Sequence, residues 1–216
     1  MFSVLILAGG SSSRFGGRPK ALLPLLGKPM MTYVLDVAHT VSDDVVIVVS
    51  STEQAEAIEE AVDACGLFVD DGDLGPPCPL RGLVSGLRAV KNDIALALAC
   101  DMPLVSARVL SFLADVLSHM NAAVPRWPNG YVEPLQAAYR VGPSIRAGEA
   151  LLRTGEDIAM RSFLRALRRV RYISTEILKD LDPGLTTFLN VNSQADLKKA
   201  ETVLRAREKR AQRGLR

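Results

Sequence analysis

Cysteine is scarce in this 216-residue chain: Cys65, Cys78 and Cys100 are odd in number and show no C-x-x-C spacing. That argues against a disulfide framework and against a zinc site, so the thiols are expected to be reduced and structural. Histidine is scarcer still. His39 and His119 each fall near the end of an expected helix, where the helix dipole accounts for them, and neither is offered as a catalytic base. An excess of one charge sign is missing too: 26 Lys and Arg stand against 24 Asp and Glu, leaving no global field to recruit nucleic acid or acidic membranes. No apolar run approaches the roughly 20 residues that span a bilayer, and the start lacks the cationic and long apolar regions of a signal peptide. A cytoplasmic protein that binds neither nucleic acid nor membrane is expected.

With 48% hydrophobic and 23% charged residues, the composition is that of an ordinary globular domain with a sizeable core. Strand-like and helix-like segments alternate: strand 2–7, helix 30–40, strand 45–49, helix 52–65, strand 67–69, helix 80–90, strand 94–100 and helix 106–120. Repeated βα units imply a parallel sheet with helices on both faces. Farther on, strands at Ala122 to Val124 and Val132 to Tyr139 flank a Pro128-Asn129-Gly130 turn, which predicts an antiparallel excursion at the sheet edge. Helices at 142–153 and 157–168, a strand at 170–173, and a helix capped by Ser193 with Leu197, Ala200 and Leu204 at core spacing complete the pattern. The expected fold class is α/β: one Rossmann-like, three-layer α/β/α domain over residues 1–204, mostly parallel, followed by a basic tail over 205–216. Ligands of such sheets sit at the carboxyl ends of the strands, which directs attention to the loops there.

The first of those loops, Gly9 to Gly17, has four glycines and three serines but no carboxylate. Glycines let successive N–H groups converge on an anion, and Arg14 and Lys20 add positive charge. It is not a Walker loop, because Phe15 stands five residues after Gly10 and Lys20 is followed by Ala21. No frame of GGSSSRFGG supplies G-x-G-x-x-G either. After the strand IALALAC stands Asp101-Met102-Pro103, a carboxylate at the end of a buried strand. It suits a magnesium ligand; the alternative, a cap for the next helix, is weakened by Ser106 being the better N-cap. Asp70 and Asp71 open a turn-rich stretch, GDLGPPCPLRG.

LAGG, the three serines, Arg14, Gly16-Gly17, Lys20 and GKP at 27–29 resemble the signature of the nucleotide-sugar-type nucleotidyltransferases. PLRG at 79–82, CDMP at 100–103, EPLQAAY at 133–139 and FLNVN at 188–192 resemble one branch of them, the molybdenum cofactor guanylyltransferases, over about residues 2–204. The resemblance implies the nucleotide-diphospho-sugar transferase fold and transfer of GMP from GTP to the terminal phosphate of molybdopterin, with Mg²⁺ and release of pyrophosphate. It implies catalytic roles for Arg14, Lys20 and Asp101, with Asp101 as the metal ligand. Leu7, Ala8, Gly9, Gly10, Ser11, Ser12, Ser13, Lys20, Ser50, Asp71 and Asp101 would contact the nucleotide, and Asn190 and Asn192 the pterin. The family's double arginine has no clear counterpart in GEDIAMRSF, and Ser50 or Ser51 stands where an asparagine is usual. Related cytidylyl, sugar-phosphate or cobinamide-phosphate enzymes are the near alternatives, and a non-catalytic nucleotide-binding partner the distant one. Transient contact with cofactor-insertion or delivery proteins is part of the expectation.

A phosphate monoester is already mostly ionised near neutral pH, so such a transfer needs positioning and charge neutralisation rather than a general base. Asn190 and Asn192 are expected on a strand whose alternation points both one way, Leu189 and Val191 the other, across the crevice from the nucleotide. Capping of the last helix is the competing reading. Arg161, Arg165, Arg168, Arg169 and Arg171 either meet the acidic second substrate or are solvated, and Trp127 either flanks the pterin or packs the edge.

Overall fold

The computed structural model describes residues 1–9, 19–62, 67–69, 74 and 77–214. β1 (Ser3–Leu7) is central, flanked in parallel by β4 (Val45–Val49) and β6 (Ile94–Ala99). The seven-stranded sheet runs β5-β4-β1-β6-β8-β7-β9, with β5 at Leu67–Val69, β7 at Ala122–Arg126, β8 at Gln136–Arg140 and β9 at Val170–Ser174. Within this sheet, among the described residues, only β8 is antiparallel to its neighbours. The antiparallel strand is therefore present but interior, and β9 forms the edge. Gln136, Ala137, Ala138 and Tyr139 are all fully buried, as a strand covered on both faces requires.

Alternation along β1 divides the core. Val4 and Ile6 pack with Met31, Val34 and Leu35 of α1 (Met30–Val41), Ile58 of α2 (Thr52–Ala61) and Leu110 and Leu113 of α4 (Ala107–Asp115). Leu5 and Leu7 point the other way, to α3 (Pro79–Ala89), α5 (Val141–Thr154) and α6 (Met160–Leu167). This is the expected three-layer α/β/α arrangement. A third cluster joins Leu23 and Leu25 at the small hairpin β2 (Pro24–Leu25) and β3 (Lys28–Pro29) to Leu197, Ala200 and Leu204 of α8 (Gln194–Gly214). A short helix, α7, spans Thr175–Leu178.

Several boundaries differ from the sequence reading. α2 ends at Ala61 because Val62 is extended, and α4 ends at Asp115, five residues before Met120. α6 begins only at Met160, Asp157 having a left-handed φ of 44°. The strand expected from Val132 keeps only an isolated bridge from Val132 to Arg126 before β8 starts at Gln136. Pro134 lacks the N–H a ladder needs, and the chain turns there with the Gln136 N–H donating to the Glu133 carbonyl. The basic residues from Arg205 on form the end of α8, which runs to Gly214, and Arg207 secures that helix by donating to the carbonyl of Leu104 and the hydroxyl of Thr186.

α3 lies close to the sheet because it presents small residues there. A Cβ on Gly86 would stand 2.1 Å from Leu5 Cδ1 and 2.6 Å from Val48 Cγ2. Gly86→Ala is expected to lose about 1–3 kcal/mol through overpacking, partly offset by about 1 kcal/mol of helix propensity. Urea unfolding of the variant should show a lower midpoint with an unchanged slope.

Candidate active site

The carboxyl ends of β1, β4 and β6 open into a cavity of about 420 Å³, floored by Leu7, Val48, Val49 and Ala99. Its rim carries Ala8, Gly9, Lys20, Ser50 and Asp101, all read from the sequence as site residues. Gly10, Ser11, Ser12, Ser13, Arg14 and Asp71 lie outside the described residues.

Asp101 is held by a continuation of the central ladder. The Cys100 N–H donates to Leu7 O at 3.0 Å, and the Asp101 carbonyl accepts from Val191 N–H at 2.9 Å. Lys20 opens a short 3₁₀ turn, Lys20–Leu22, and its Nζ lies 3.0 Å from Asp101 Oδ2 and 2.6 Å from Asn192 Oδ1. Three segments distant in sequence thus converge on one ammonium group. Both members of the ion pair retain some solvent access, with side-chain exposures of 24% and 18%, so the pair is partly screened.

The other carboxylate oxygen, Asp101 Oδ1, is buried and has no hydrogen-bond partner. Leaving a charged acceptor unpaired is costly, and a divalent cation would satisfy it. Among the described residues no three His, Cys, Asp or Glu side chains gather as a metal cage. One carboxylate supplemented by substrate phosphates and water is the ligand set magnesium favours, so the residues present fit that ion. Asp101 does not cap α4, since its Oδ2 meets Lys20 and its Oδ1 has no partner among the described residues, but the cap expected from the Ser106 side chain is not made either. Ser106 occupies the N-cap position of α4 without a side-chain cap bond, while its N–H donates to Thr187 Oγ1.

FLNVN is not a strand. Thr186–Phe188 forms a 3₁₀ turn, and residues 189–192 are irregular, with Val191 fully buried and Asn190 half-buried. Asn192 does not stand across the crevice from Lys20; it touches it directly. Its backbone N–H donates to Asp196 Oδ2 at 3.1 Å, and the Ser193 hydroxyl donates to the same oxygen at 2.7 Å. These bonds hold the Asp196 carboxyl below the usual range, the Ser193 bond most of all. They also join the N-terminus of α8 to Lys20, because the Asn192 side chain accepts from that lysine while its backbone N–H donates to Asp196.

Other singled-out residues find structural roles. Trp127 packs edge-on against Phe188, and its indole N–H donates to Glu133 Oε1 at 2.7 Å. Burial raises the Glu133 carboxyl, and the indole bond opposes that rise. Arg169 and Arg171 donate to the carbonyls of His119 and Val116 just beyond α4, whereas Arg161 and Arg165 are exposed and border a second groove with Arg126 and Tyr172.

Sequence reasoning missed Cys78, Gly82 and Leu135 in the cavity wall. Cys78 caps α3, its Sγ accepting from Arg81 N–H with Pro79 in the first turn. Gly82 lets that helix approach β1, since a Cβ there would lie 3.3 Å from Leu7 Cδ2. Proline after a capping residue was the available signal. Gln54, just outside the cavity wall, was missed as well, although Ser51-Thr52-Glu53-Gln54 has capping-box form.

Residues 4–170 match the model of the MobA-like NTP transferase domain, over more than half the chain. The chain belongs to that family. It is therefore a nucleotidyltransferase of the MobA-like type. Among its relatives is a molybdenum cofactor guanylyltransferase of Desulfosudis oleivorans, 34% identical over 203 residues that cover 94% of this chain and 95% of that protein. A probable molybdenum cofactor guanylyltransferase of Thermococcus gammatolerans is 33% identical over 205 residues, 90% and 96% of the two chains. The crystal structure of molybdopterin-guanine dinucleotide biosynthesis protein A from Archaeoglobus fulgidus superimposes with a TM-score of 0.81 at 28% identity, over 95% of this chain and all of that one. A Thermus thermophilus 2-C-methyl-D-erythritol 4-phosphate cytidylyltransferase, at 19% identity and a TM-score of 0.67, shares the fold.

Two cavity thiols differ sharply in environment. Burial, then the neighbouring Asp101 carboxylate, push the Cys100 thiol up to about 12, whereas Cys78 is half-buried at the rim. At pH 8 the Cys100 thiolate fraction is roughly one in ten thousand. Peptide mapping after brief alkylation at that pH should find Cys78 modified and Cys100 intact, with a bound nucleoside triphosphate protecting Cys78.

Proposed function

We propose that this MobA-like transferase moves GMP from GTP to the terminal phosphate of molybdopterin and releases pyrophosphate. The observation that carries the reading is Lys20 Nζ held between Asp101 Oδ2 and Asn192 Oδ1 at the mouth of the strand-end cavity. The names of the relatives supply the substrates. An oxygen of the acceptor phosphate bonds to the α-phosphorus of GTP while the bond to the β-bridging oxygen breaks, its electron pair leaving with pyrophosphate. The acceptor is ionised near neutral pH, so no side chain has to remove a proton.

Each residue then has a task. The Leu7–Gly9 backbone and Ser50 receive the base. Gly10, Ser11, Ser12, Ser13 and Arg14 cradle the phosphates, and Asp71 contacts the nucleotide, roles that rest on the family resemblance. Asp101, through its unpartnered Oδ1, holds Mg²⁺, which when bound neutralises phosphate oxygens as a Lewis acid. Lys20, a compact charge on a flexible stem, turns from Asp101 toward the departing pyrophosphate, and Asn192 limits how far it strays. Asn190 is left to the pterin. Residues 1–204 act as one catalytic domain, supported by the way α8 and the β2–β3 hairpin share a core cluster. Contact with cofactor-delivery proteins is proposed on the resemblance alone. Related cytidylyl or sugar-phosphate transfer is the second reading, favoured by the shared fold of the cytidylyltransferase.

Pyrophosphate release measured with GTP, CTP, UTP and ATP, with and without molybdopterin, tests the reading. GTP with molybdopterin should be the productive pair, and turnover with CTP instead would sink it. Lys20→Ala should lower turnover by about 3 kcal/mol, roughly a hundredfold, as for loss of one transition-state donor. Asp101→Asn should raise the Mg²⁺ concentration needed for half-maximal rate while leaving the melting temperature nearly unchanged.

The two asparagines should separate. Asn190→Ala is expected to weaken molybdopterin binding with little effect on GTP. Asn192→Ala, which removes a hydrogen bond to a charged group, should cost about 1.5–3 kcal/mol in turnover as well. Calorimetry with each substrate and steady-state rates check this, and identical behaviour of the two variants would contradict the assignment.

A further inference from the structure

Gln54 is the third residue of α2, and the Ser51 hydroxyl at the N-cap accepts its backbone N–H at 3.2 Å. In a capping box the Gln side chain would return to the N-cap N–H. Here it reaches one residue further. Gln54 Oε1 accepts from Ser50 N–H at 3.0 Å and from Ser50 Oγ–H at 2.9 Å, while Gln54 Nε2 donates to Ala8 O at 2.8 Å. The carboxamide thus ties the end of β4 to the end of β1. The Val48 carbonyl reinforces the joint by accepting from both Ala8 N–H, at 2.8 Å, and Gly9 N–H, at 3.1 Å.

The chemistry of the partners fixes the direction of every bond. A backbone carbonyl can only accept, so the amide nitrogen faces Ala8; a backbone N–H can only donate, so the amide oxygen faces Ser50. The Ser50 hydroxyl must then spend its hydrogen on Gln54 Oε1. What Ser50 offers to the cavity is lone pairs alone.

From this the geometry points to Gln54 as a positioning residue for base choice: by holding Ser50 as a pure acceptor, it selects a base that presents a hydrogen-bond donor there. At positions 1 and 2 guanine carries N1–H and an exocyclic amino group; adenine has a bare N1 and no amino group there, its one exocyclic donor lying at position 6 where guanine has a carbonyl, so lone pairs would meet lone pairs. The inference rests on the guanylyl reading for the identity of the nucleotide, but its logic concerns hydrogen-bond polarity. Gln54 does not line the cavity, so it acts through Ser50 and Ala8.

The test compares GTP and ATP affinities, measured by calorimetry, for the wild-type protein, Gln54→Met, Ser50→Ala and the double variant. In Gln54→Met the freed hydroxyl can rotate and donate, so GTP should bind more weakly and ATP more tightly, compressing the ratio about tenfold. Ser50→Ala should lose the GTP preference without the gain in ATP binding, and the double variant should lose no more than Ser50→Ala does. In turnover, Gln54→Met should raise KM for GTP with a smaller change in kcat. An unchanged ratio in either single variant, or equal loss of both nucleotides in Gln54→Met, would overturn the inference. If Gln54→Met does not fold, Gln54→Leu takes its place and is read on the same GTP-to-ATP ratio. Wild-type preference for CTP over GTP would overturn the guanylyl reading and the inference that rests on it, whereas an unchanged ratio in Gln54→Met beside an intact wild-type GTP preference overturns the inference alone.

Discussion

β1 has no solvent face, and the rest of the molecule follows from that constraint. Val4, Leu5 and Ile6 are fully buried, with ladder partners on both sides and helices above and below. A strand so enclosed can meet a ligand only where it stops. Beyond Leu7 the chain leaves that enclosure: Ala8 and Gly9 line the cavity although their N–H groups still bond to the Val48 carbonyl, and the β4 and β6 ends stop beside them. The cavity is the place where three ladders run out together, walled by the same leucine and valines that form the core.

Charge enters this apolar mouth in a controlled way. Asp101 is delivered by the backbone bond from Cys100 to Leu7, so its position is as rigid as the sheet. Lys20 arrives on a short turn from the opposite side, and Asn192 from the start of the last helix. An aspartate with one oxygen on lysine and the other on nothing is half-neutralised. Among the described residues Lys20 brings one positive charge to this carboxylate, and under the proposed function the other oxygen is left for a metal ion.

Much of this was legible in the sequence, for identifiable reasons. β-branched runs bounded by turn residues gave β4 to the residue, and the alternation of strands and amphipathic helices gave the layers. Asp101 could be found because it follows a buried strand directly. What escaped depended on tertiary contact or on a single backbone detail. Pro134 moved the start of β8 by four residues, and the interior position of that strand depends on which neighbours it chooses, something no local pattern encodes. Asn190 and Asn192 have strand-like spacing, yet the buried Val191 between them is held by Asp101 O in place of a ladder. Gln54 has the form of an ordinary helix cap, and only the proximity of Ala8 gives it a second task.

All seven strands are complete once Ser174 has joined the sheet. The cluster that seats Leu23 and Leu25 nevertheless needs Val191, Leu197, Ala200 and Leu204, and Lys20 meets Asn192 across 172 positions. On the ribosome, where domains fold from the N-terminus as they emerge, the sheet can assemble before this closure, but the lysine cannot acquire its full set of contacts. The contacts of Lys20 are finished only by the segment that leads into α8. A nascent chain thus has a core to protect it from aggregation before the contacts around Lys20 are all in place.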